Sequence, residues 1–195
     1  MVLLTLCLLL EALFSFAFMF LQMITSISHQ HFVGLQRTAP SKTAIVHAFD
    51  LDDTLTLKPV GFDNTGLTKD QFFDASRDFG PDVAVSDLAR MLYNWGDHIA
   101  ICTARPPDRL TESWQWLIKH GIPFNSLMTS TGERCSGIAK QHMLKYLRRQ
   151  YRMVGTLIDD SPYNIQGAKL QRISTIHLRK NDEYWEAHPE RIHKV

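Results

Sequence analysis

The sequence predicts an α/β domain whose centre is a five-stranded parallel sheet. Five short runs rich in β-branched and apolar residues alternate with four segments in which apolar residues recur at helical spacing. Strands that alternate with helices imply βαβ units, and such units form a parallel sheet covered on both faces. The chain has 195 residues, of which 45% are apolar and 21% charged, the composition of an ordinary globular domain with its own core.

The five strands are predicted, in chain order, at 44–49, 98–102, 124–128, 154–158 and 174–178. The helices between and around them are predicted at 83–95, 107–120, 137–151 and 163–170. Gly96 and Gly121 stand where two of these helices should end. The predicted architecture is therefore a three-layer, Rossmann-like domain, in which ligands bind beyond the carboxyl ends of the strands.

The segment before this domain divides into a leader and a linker. Residues 1–25 are almost entirely apolar and about as long as a membrane-spanning helix, so they are predicted to be a membrane anchor. Arg37 and Lys42, on the C-terminal side, favour a cytoplasmic domain. A cleaved signal, which would make the protein secreted or soluble, and a start codon placed too far upstream are the alternatives. Residues 26–42 lack apolar periodicity and are predicted to be a linker, which leaves 43–195 as the domain.

Two acidic pairs follow predicted strands. Asp50 and Asp52 leave the first strand in the run HAFDLDDTLT, and Asp159 and Asp160 end the fourth strand in the run GTLIDDSPYN. Burying these acids at one edge of the sheet, with no evident local basic partner, is unfavourable unless a cation is present. A solvated turn would explain one Asp but not four. The sequence therefore predicts a Mg²⁺ site, because Mg²⁺ prefers oxygen ligands.

Four further residues are expected at the same edge. Thr54 closes the first acidic run, Thr103 ends the second strand with a hydroxyl and a backbone N–H, and Arg105 lies just beyond it. Lys140, near the start of the third helix, can bring a positive charge to the acids, with Lys145 as its rival. Each residue is a weak signal alone, but their order along the chain is informative.

In this order the residues resemble the motifs of the haloacid dehalogenase superfamily. Those motifs are D-x-D-x-T, a hydrophobic strand ending in Thr or Ser, a Lys, and a strand ending in D-D. They appear here as DLDDT at 50–54, ICT at 101–103, Lys140, and LIDD at 157–160. The resemblance spans about residues 44–180 and implies a magnesium-dependent phosphatase.

The resemblance also implies a role for each residue. Asp50 would attack phosphorus to form an aspartyl-phosphate, and Asp52 would act as general acid and base. Thr103 and Lys140 would hold the transferring oxygens. An Asp at position 52 favours phosphatase chemistry, because dehalogenases lack this acid and the ATPase pumps carry Thr there.

The remaining assignments concern ligands. Thr54 and Arg105 are expected to contact the substrate. The Mg²⁺ ligands would be Asp50, the backbone carbonyl of Asp52, and Asp159, with Asp160 supporting a ligand water.

The spacing of the motifs bears on the substrate. No long insertion follows the first or the second motif, so the domain should have little or no cap and an open site. An open site suits a large substrate that seals it, such as a nucleic acid end. The W-L-x-x-H-G-I-P run at 116–123 also resembles the phosphatase domain of polynucleotide kinase 3′-phosphatases. The alternatives are a small-molecule phosphatase or 5′-nucleotidase and, from another class, a non-catalytic binding module.

The remaining surface signals favour no single partner. The net charge of +1 gives no overall attraction to nucleic acid or to a membrane, and no protein partner is indicated. A basic series at helical spacing could contact phosphates, although a solvated helix face is the commoner meaning of such a series. Three aromatic residues could stack on bases, although core packing is commoner. The basic series is Lys145, Arg148, Arg149 and Arg152, and the aromatic residues are Trp114, Trp116 and Phe124.

Overall fold

The computed structural model describes residues 25–132, 136–178 and 193–194. Its strands are β1 (Thr25–His29), β2 (Phe32–Gln36), β3 (Ile45–Phe49), β4 (Thr56–Leu57), β5 (Gly80–Pro81), β6 (His98–Thr103), β7 (Ser126–Ser130), β8 (Met153–Asp159), β9 (Ser174–His177) and β10 (His193–Lys194). Its helices are α1 (Lys69–Ser76), α2 (Val83–Asn94), α3 (Leu110–Lys119), α4 (Ser136–Gln150) and α5 (Pro162–Leu170), and a 3₁₀ turn at Pro107–Arg109 precedes α3. Every helix and strand that the sequence predicts is present.

A mixed sheet forms the centre of the fold. Its strand order is β1-β2-β7-β6-β3-β8-β9-β10, and the five strands from β7 to β9 run parallel. This confirms the predicted α/β class and its five-stranded parallel sheet. The carboxyl ends of β3, β6 and β8 lie side by side, because β3 pairs with both of the others.

Helices cover both faces of the sheet. One core cluster joins strand residues such as Ala48 to Met143 and Leu147 of α4 and to α5. The other joins strand residues such as Phe49 to α2 and to Trp116 of α3. Alternate residues of one strand therefore face opposite cores, as the predicted three-layer arrangement requires.

The hairpin at the N-terminal edge corrects the predicted linker. Strands β1 and β2 pair with each other, and β2 pairs antiparallel with β7, so 25–36 belong to the sheet and the domain begins before residue 43. A Cβ on Gly34 would lie 2.2 Å from the carbonyl oxygen of Leu127, so only glycine allows this close approach. The buried positions of β2 are Phe32, Gly34 and Gln36, and this set does not produce an apolar alternation in the sequence.

A short flap lies between β3 and α2. It consists of the two-stranded sheet β4–β5 and the helix α1, which Thr68 caps in a reciprocal capping box with Gln71. Phe62 and Phe72 contact the ring of Phe79 edge-on, with ring centroids 4.8 and 6.0 Å apart. The flap therefore has its own small aromatic core. Because the flap contains only these short elements, the prediction of little or no cap is confirmed.

The predicted membrane anchor lies outside the described residues, except for Thr25 in β1. Within 25–132, 136–178 and 193–194, no helix has both the length and the apolar character needed to cross a bilayer.

Candidate active site

Three carboxylates meet where β3 and β8 end. Asp50 follows β3 and its backbone N–H donates to the carbonyl of Ile158, at 2.9 Å, while Asp159 is the last residue of β8 and Asp160 follows it. Oxygen atoms of Asp50, Asp159 and Asp160 all lie within 4.8 Å of one another. The two acidic pairs that the sequence predicts at one edge of the sheet are thus brought together through these three side chains.

Lys140 supplies the positive charge of this acidic centre. Its side chain is 1% exposed, its Nζ lies 2.7 Å from Oδ1 of Asp50, and it also donates to Asp159. Burial alone would lower the pKa of Lys140, but the two carboxylates outweigh burial and raise the pKa above its ordinary value. Lys145 is exposed on the same helix. The geometry therefore favours Lys140 over Lys145 as the lysine of the site.

Asp159 is held by a second set of contacts that the sequence did not single out. The side-chain amide of Asn164 donates to both carboxylate oxygens at 3.0 Å, and the backbone N–H of Ser161 donates to Oδ1 at 2.8 Å. Both partners lie in the first turn of α5 or just before it. The run SPYN after the second acidic pair contained this signal, because an Asn five residues beyond a strand-end acid can turn back onto it.

The charge of this centre fits a divalent cation. The buried carboxylates of Asp50 and Asp159 share the single ammonium of Lys140, which leaves one negative charge between them, and an oxygen of Asp160 lies within 4.8 Å of both. Burial raises the pKa of Asp50 well above its ordinary value; Lys140 opposes that shift, and the neighbouring acids Asp159, Asp160 and Asp52 add to it. A hard cation with oxygen ligands would neutralise the excess charge, so the residues fit Mg²⁺.

Asp52 is not one of the three clustered carboxylates and pairs instead with Arg105. The Arg105 Nε lies 2.9 Å from Oδ2 of Asp52 and Nη2 lies 2.6 Å from Oδ1, which is a bidentate ion pair. Arg105 is 1% exposed, and both Nη atoms also reach serine hydroxyls. Nε and both Nη atoms of Arg105 therefore have partners within the protein, and the substrate contact that the sequence predicts for Arg105 stays a prediction.

The two predicted threonines are both fully buried at this edge. Thr103 ends β6, and its Oγ1 accepts a hydrogen bond from the backbone N–H of Arg105 at 3.2 Å. The Oγ1 of Thr54 has no hydrogen-bond partner among the described residues. Both hydroxyls thus lie in the loops that carry Asp52 and Arg105. Next to Thr103, burial raises the pKa of the Cys102 thiol to about 12, which excludes thiolate chemistry there at neutral pH.

The aromatic side chains that could have stacked on bases lie in the core instead. Trp116 and Phe124 are buried, and the Trp116 indole N–H donates to the carbonyl of Phe79 at 2.9 Å. The ring of Trp114 meets Phe124 edge-on at 5.0 Å. Core packing therefore accounts for all three.

The basic series on α4 points to the opposite end of the domain. Helix α4 starts at the edge that carries Lys140 and ends just before β8 begins, at the amino ends of the strands. Arg148 and Arg149 are in its last turn, and Arg148 donates to the carbonyl of Gln171. These residues are therefore remote from the acidic centre and do not extend it.

The comparisons with known proteins concern the fold. No protein-family model matches the chain, and no curated protein matches it by sequence. Among solved structures, it is similar to a chain of the Pnkp1/Rnl/Hen1 RNA repair complex, with a TM-score of 0.61 and 17% identity over 75% of this chain and 46% of that one. A second structure of that complex gives 0.58 and 16% over 74% and 50%. The chain thus spans about half the length of these two matches.

A third similar structure matches at nearly full length. It is a HAD-like phosphatase from Mesorhizobium loti, with a TM-score of 0.56 and 8% identity over 84% of this chain and 85% of that one. Identities this low carry information about the fold and not about the substrate. The parallel sheet, the short flap and these matches agree: the chain has the fold of the haloacid dehalogenase-like phosphatases.

Proposed function

We propose that the protein is a magnesium-dependent phosphomonoesterase that works through an aspartyl-phosphate on Asp50. The observation that carries this proposal is the acidic centre, in which the buried carboxylates of Asp50 and Asp159 share one lysine and an oxygen of Asp160 lies within 4.8 Å of both. Such a centre is unfavourable by itself and becomes favourable with a divalent cation and an anionic substrate. It lies at the edge of a parallel sheet where ligands bind in folds of this type.

The residues divide the chemistry between them. An oxygen of Asp50 attacks phosphorus, the bond from phosphorus to the ester oxygen breaks, and Asp52 gives that oxygen a proton. Asp52 then takes a proton from water, whose oxygen displaces Asp50 from phosphorus and releases phosphate. Lys140 and Thr103 hold the oxygens of the transferring group. Asp50, Asp159 and the backbone carbonyl of Asp52 would hold Mg²⁺, with Asp160 supporting a ligand water, and the ion would supply charge neutralisation between nucleophile and substrate.

The proposed substrate is a large phosphate ester, with a nucleic acid end as the first candidate. The flap is only α1 and the short β4–β5 pair, so a small metabolite would leave much of the site open to water. A chain of an RNA repair complex shares this fold, so a nucleic acid end is the substrate class to test first.

The experiment is phosphate release by the whole chain in Mg²⁺ or EDTA. The substrate panel is p-nitrophenyl phosphate, mononucleotides, sugar phosphates and 3′-phosphorylated oligonucleotides. We expect release only with Mg²⁺, with the highest kcat/KM on the oligonucleotide ends. Equal or higher kcat/KM on mononucleotides or sugar phosphates would reject the nucleic acid end and favour the small-molecule phosphatase. No release from any substrate, together with no Mg²⁺ binding by calorimetry, would overturn the proposed function in favour of a binding module.

A further inference from the structure

Two serines from different helices hold the guanidinium of Arg105. Ser76, the last residue of α1, is fully buried, and its Oγ accepts a hydrogen bond from Nη2 at 2.7 Å. Ser113, in α3, is also fully buried, and its Oγ lies 3.4 Å from Nη1. The ring of Phe73, also in α1, lies under the guanidinium, 5.6 Å from the charged carbon.

The hydroxyl protons of both serines are already used. The Ser76 hydroxyl donates to the carbonyl of Phe73 at 2.8 Å, and the Ser113 hydroxyl donates to the carbonyl of Arg109 at 2.9 Å. Each serine oxygen therefore presents its lone pairs, rather than its proton, to Arg105. The serines thus hold the guanidinium at Nη1 and Nη2, while Nε and Nη2 donate to Asp52, so the plane of the guanidinium fixes the plane of the Asp52 carboxylate through two parallel hydrogen bonds.

The helix that carries Ser76 is itself fastened to the start of α3. Arg109 Nη1 lies 2.6 Å from Asp74 and 3.1 Å from Glu112, and Arg77 pairs with Glu112. These ion pairs join the flap to the same segment that carries Ser113. A cavity of about 530 Å³ beside this junction is lined by Arg77, Glu112 and Arg105, so Arg105 contacts both the cavity and Asp52.

We infer that Ser76 is a positioning residue for the phosphatase reaction: from the flap it orients Arg105, which in turn aims Asp52 at the leaving oxygen. This inference rests on the proposed function. Asp52 matters most when the leaving oxygen needs a proton, as an alkoxide from a sugar hydroxyl does. A nitrophenolate leaves without one. Loss of the Ser76 hydroxyl should therefore slow the reaction of a substrate whose leaving oxygen needs a proton more than that of a substrate whose leaving oxygen does not.

The test compares Ser76→Ala with the wild-type chain on two substrates, p-nitrophenyl phosphate and an alkyl phosphate such as a 3′-phosphorylated oligonucleotide or glycerol phosphate. Because Asp52 also acts as base when water displaces Asp50 on either substrate, the rate to compare is that of the first step, release of the leaving group in a single turnover with enzyme in excess. We expect that rate on the alkyl phosphate to fall about tenfold with the half-saturating concentration within about twofold, a part of the roughly 100-fold to 10,000-fold that general acid catalysis contributes. On p-nitrophenyl phosphate the fall should stay below about twofold. Ser113→Ala, whose contact with Arg105 is longer, should show the same selectivity with a smaller loss.

Two controls separate positioning from a general structural effect. Ser86→Ala removes another fully buried serine hydroxyl, in α2, and should leave both rates unchanged. In an Asp52→Asn background, Ser76→Ala should change the alkyl phosphate rate by less than about twofold, because the residue through which it acts is gone.

The outcomes distinguish a failure of this inference from a failure of the proposed function. Equal losses on both substrates, or an undiminished loss in the Asp52→Asn background, would overturn the inference while leaving the phosphatase in place. If Ser76→Ala melts well below the wild type, Ser113→Ala decides by the same leaving-group comparison. A wild-type chain that hydrolyses neither substrate would overturn the proposed function and, with it, this inference.

Discussion

The site has two halves, the Asp52–Arg105 pair and the acidic centre, and buried charge is compensated differently in each. Asp52 and Arg105 form a bidentate pair with no net charge, and serine hydroxyls complete the partners of the arginine. In the acidic centre, the buried carboxylates of Asp50 and Asp159 share one lysine, and the carboxylate of Asp160 lies beside them. The first half is complete within the protein, and the second needs a cation from outside. The halves should therefore respond differently to metal and to substitution.

The halves also differ in what supports them. The acidic centre is built on β3, β8 and α4, whose residues belong to the central core. The Asp52–Arg105 pair instead leans on α1, a helix of eight residues held to α3 through exposed or half-exposed ion pairs. Substitutions in the acidic centre should thus abolish turnover, whereas substitutions around the flap should change the turnover rate only partly.

The largest effect is expected from Asp50→Asn. An amide cannot replace the nucleophile, so turnover should fall on the order of 10,000-fold or more. Burial holds the pKa of Asp50 well above its ordinary value, which means that its negative charge lowers the free energy of unfolding of the metal-free protein at neutral pH. The variant should therefore melt no lower than the wild type without Mg²⁺.

Asp53→Asn is the matched control for that variant. Asp53 adjoins Asp52 in the same loop, has a φ of 60° that Asn tolerates well, and pairs with Lys58 rather than with the acidic centre. It should lose no more than about threefold in rate, as expected for a residue outside the reaction. A similar loss in both variants would contradict the assignment of Asp50 as nucleophile.

Lys140→Met should have the next largest effect. Turnover should fall about 100-fold to 1,000-fold, because a donor to the transferring oxygens is lost. Without Mg²⁺, the free energy of unfolding should also fall, by about 3–5 kcal/mol, because the buried carboxylates lose their cation. Lys145→Met makes the same chemical change at an exposed position of the same helix and should alter neither quantity appreciably. Kinetics and denaturant melts of both variants test this, and equal effects would reject Lys140 as the motif lysine.

Addition of Mg²⁺ should stabilise the acidic half. At a free Mg²⁺ concentration 100 times its Kd, the free energy of unfolding should rise by about 2.7 kcal/mol. The corresponding rise in Tm should be several degrees for a chain of this length. Asp160→Asn should lose most of that rise, and Asp52→Asn should keep it, because the Asp52 carboxylate belongs to the neutral pair. Thermal melts with Mg²⁺ and with EDTA measure both, and loss of the rise in Asp52→Asn would mean that the two halves are not separate.

The smallest effect is expected where the flap meets α3. Asp74→Asn removes the exposed partner of Arg109 and should cost no more than about 1 kcal/mol of global stability. Hydrogen exchange in α1 should nevertheless become faster, because that ion pair fastens the helix locally. Asp87→Asn removes a comparable exposed pair, with Arg90 on α2, and should leave exchange in α1 unchanged. Unchanged exchange in Asp74→Asn would show that the Asp74–Arg109 ion pair does not hold α1.

The acidic centre could be predicted because its signals are local in the sequence. Each acid stands at the end of an apolar strand run, and the order of strands and helices brings those ends to one edge. Lys140 follows from its place near the start of a helix before the last acidic pair. The partners of Arg105 could not be found this way. Ser76 lies 29 residues away in sequence and Ser113 eight, and a serine in a helix carries no distinctive pattern.

The N-terminal hairpin could not be predicted from the sequence for a different reason. Its inward positions include Gly34, which allows a close approach of the backbone, and Gln36, which forms hydrogen bonds. Neither residue has a hydrophobic side chain. The side chain of Gln36 donates to the hydroxyl of Tyr151 at 3.0 Å and to the carbonyl of Thr38 at 2.6 Å. Such a strand is stabilised by packing partners that are distant in sequence, and apolar periodicity does not reveal those partners.

The most direct test of the central claim is to locate the phosphoryl group during turnover. The whole chain, mixed with substrate and Mg²⁺ and quenched in acid within the first turnover, should carry phosphate on Asp50, as peptide mass spectrometry after borohydride reduction of the acyl phosphate would identify. The same experiment in EDTA, or with Asp50→Asn, should give no phosphorylated peptide. Phosphate release without a phosphorylated chain at any time in the first turnover, or with the phosphoryl group on another residue, would contradict the account.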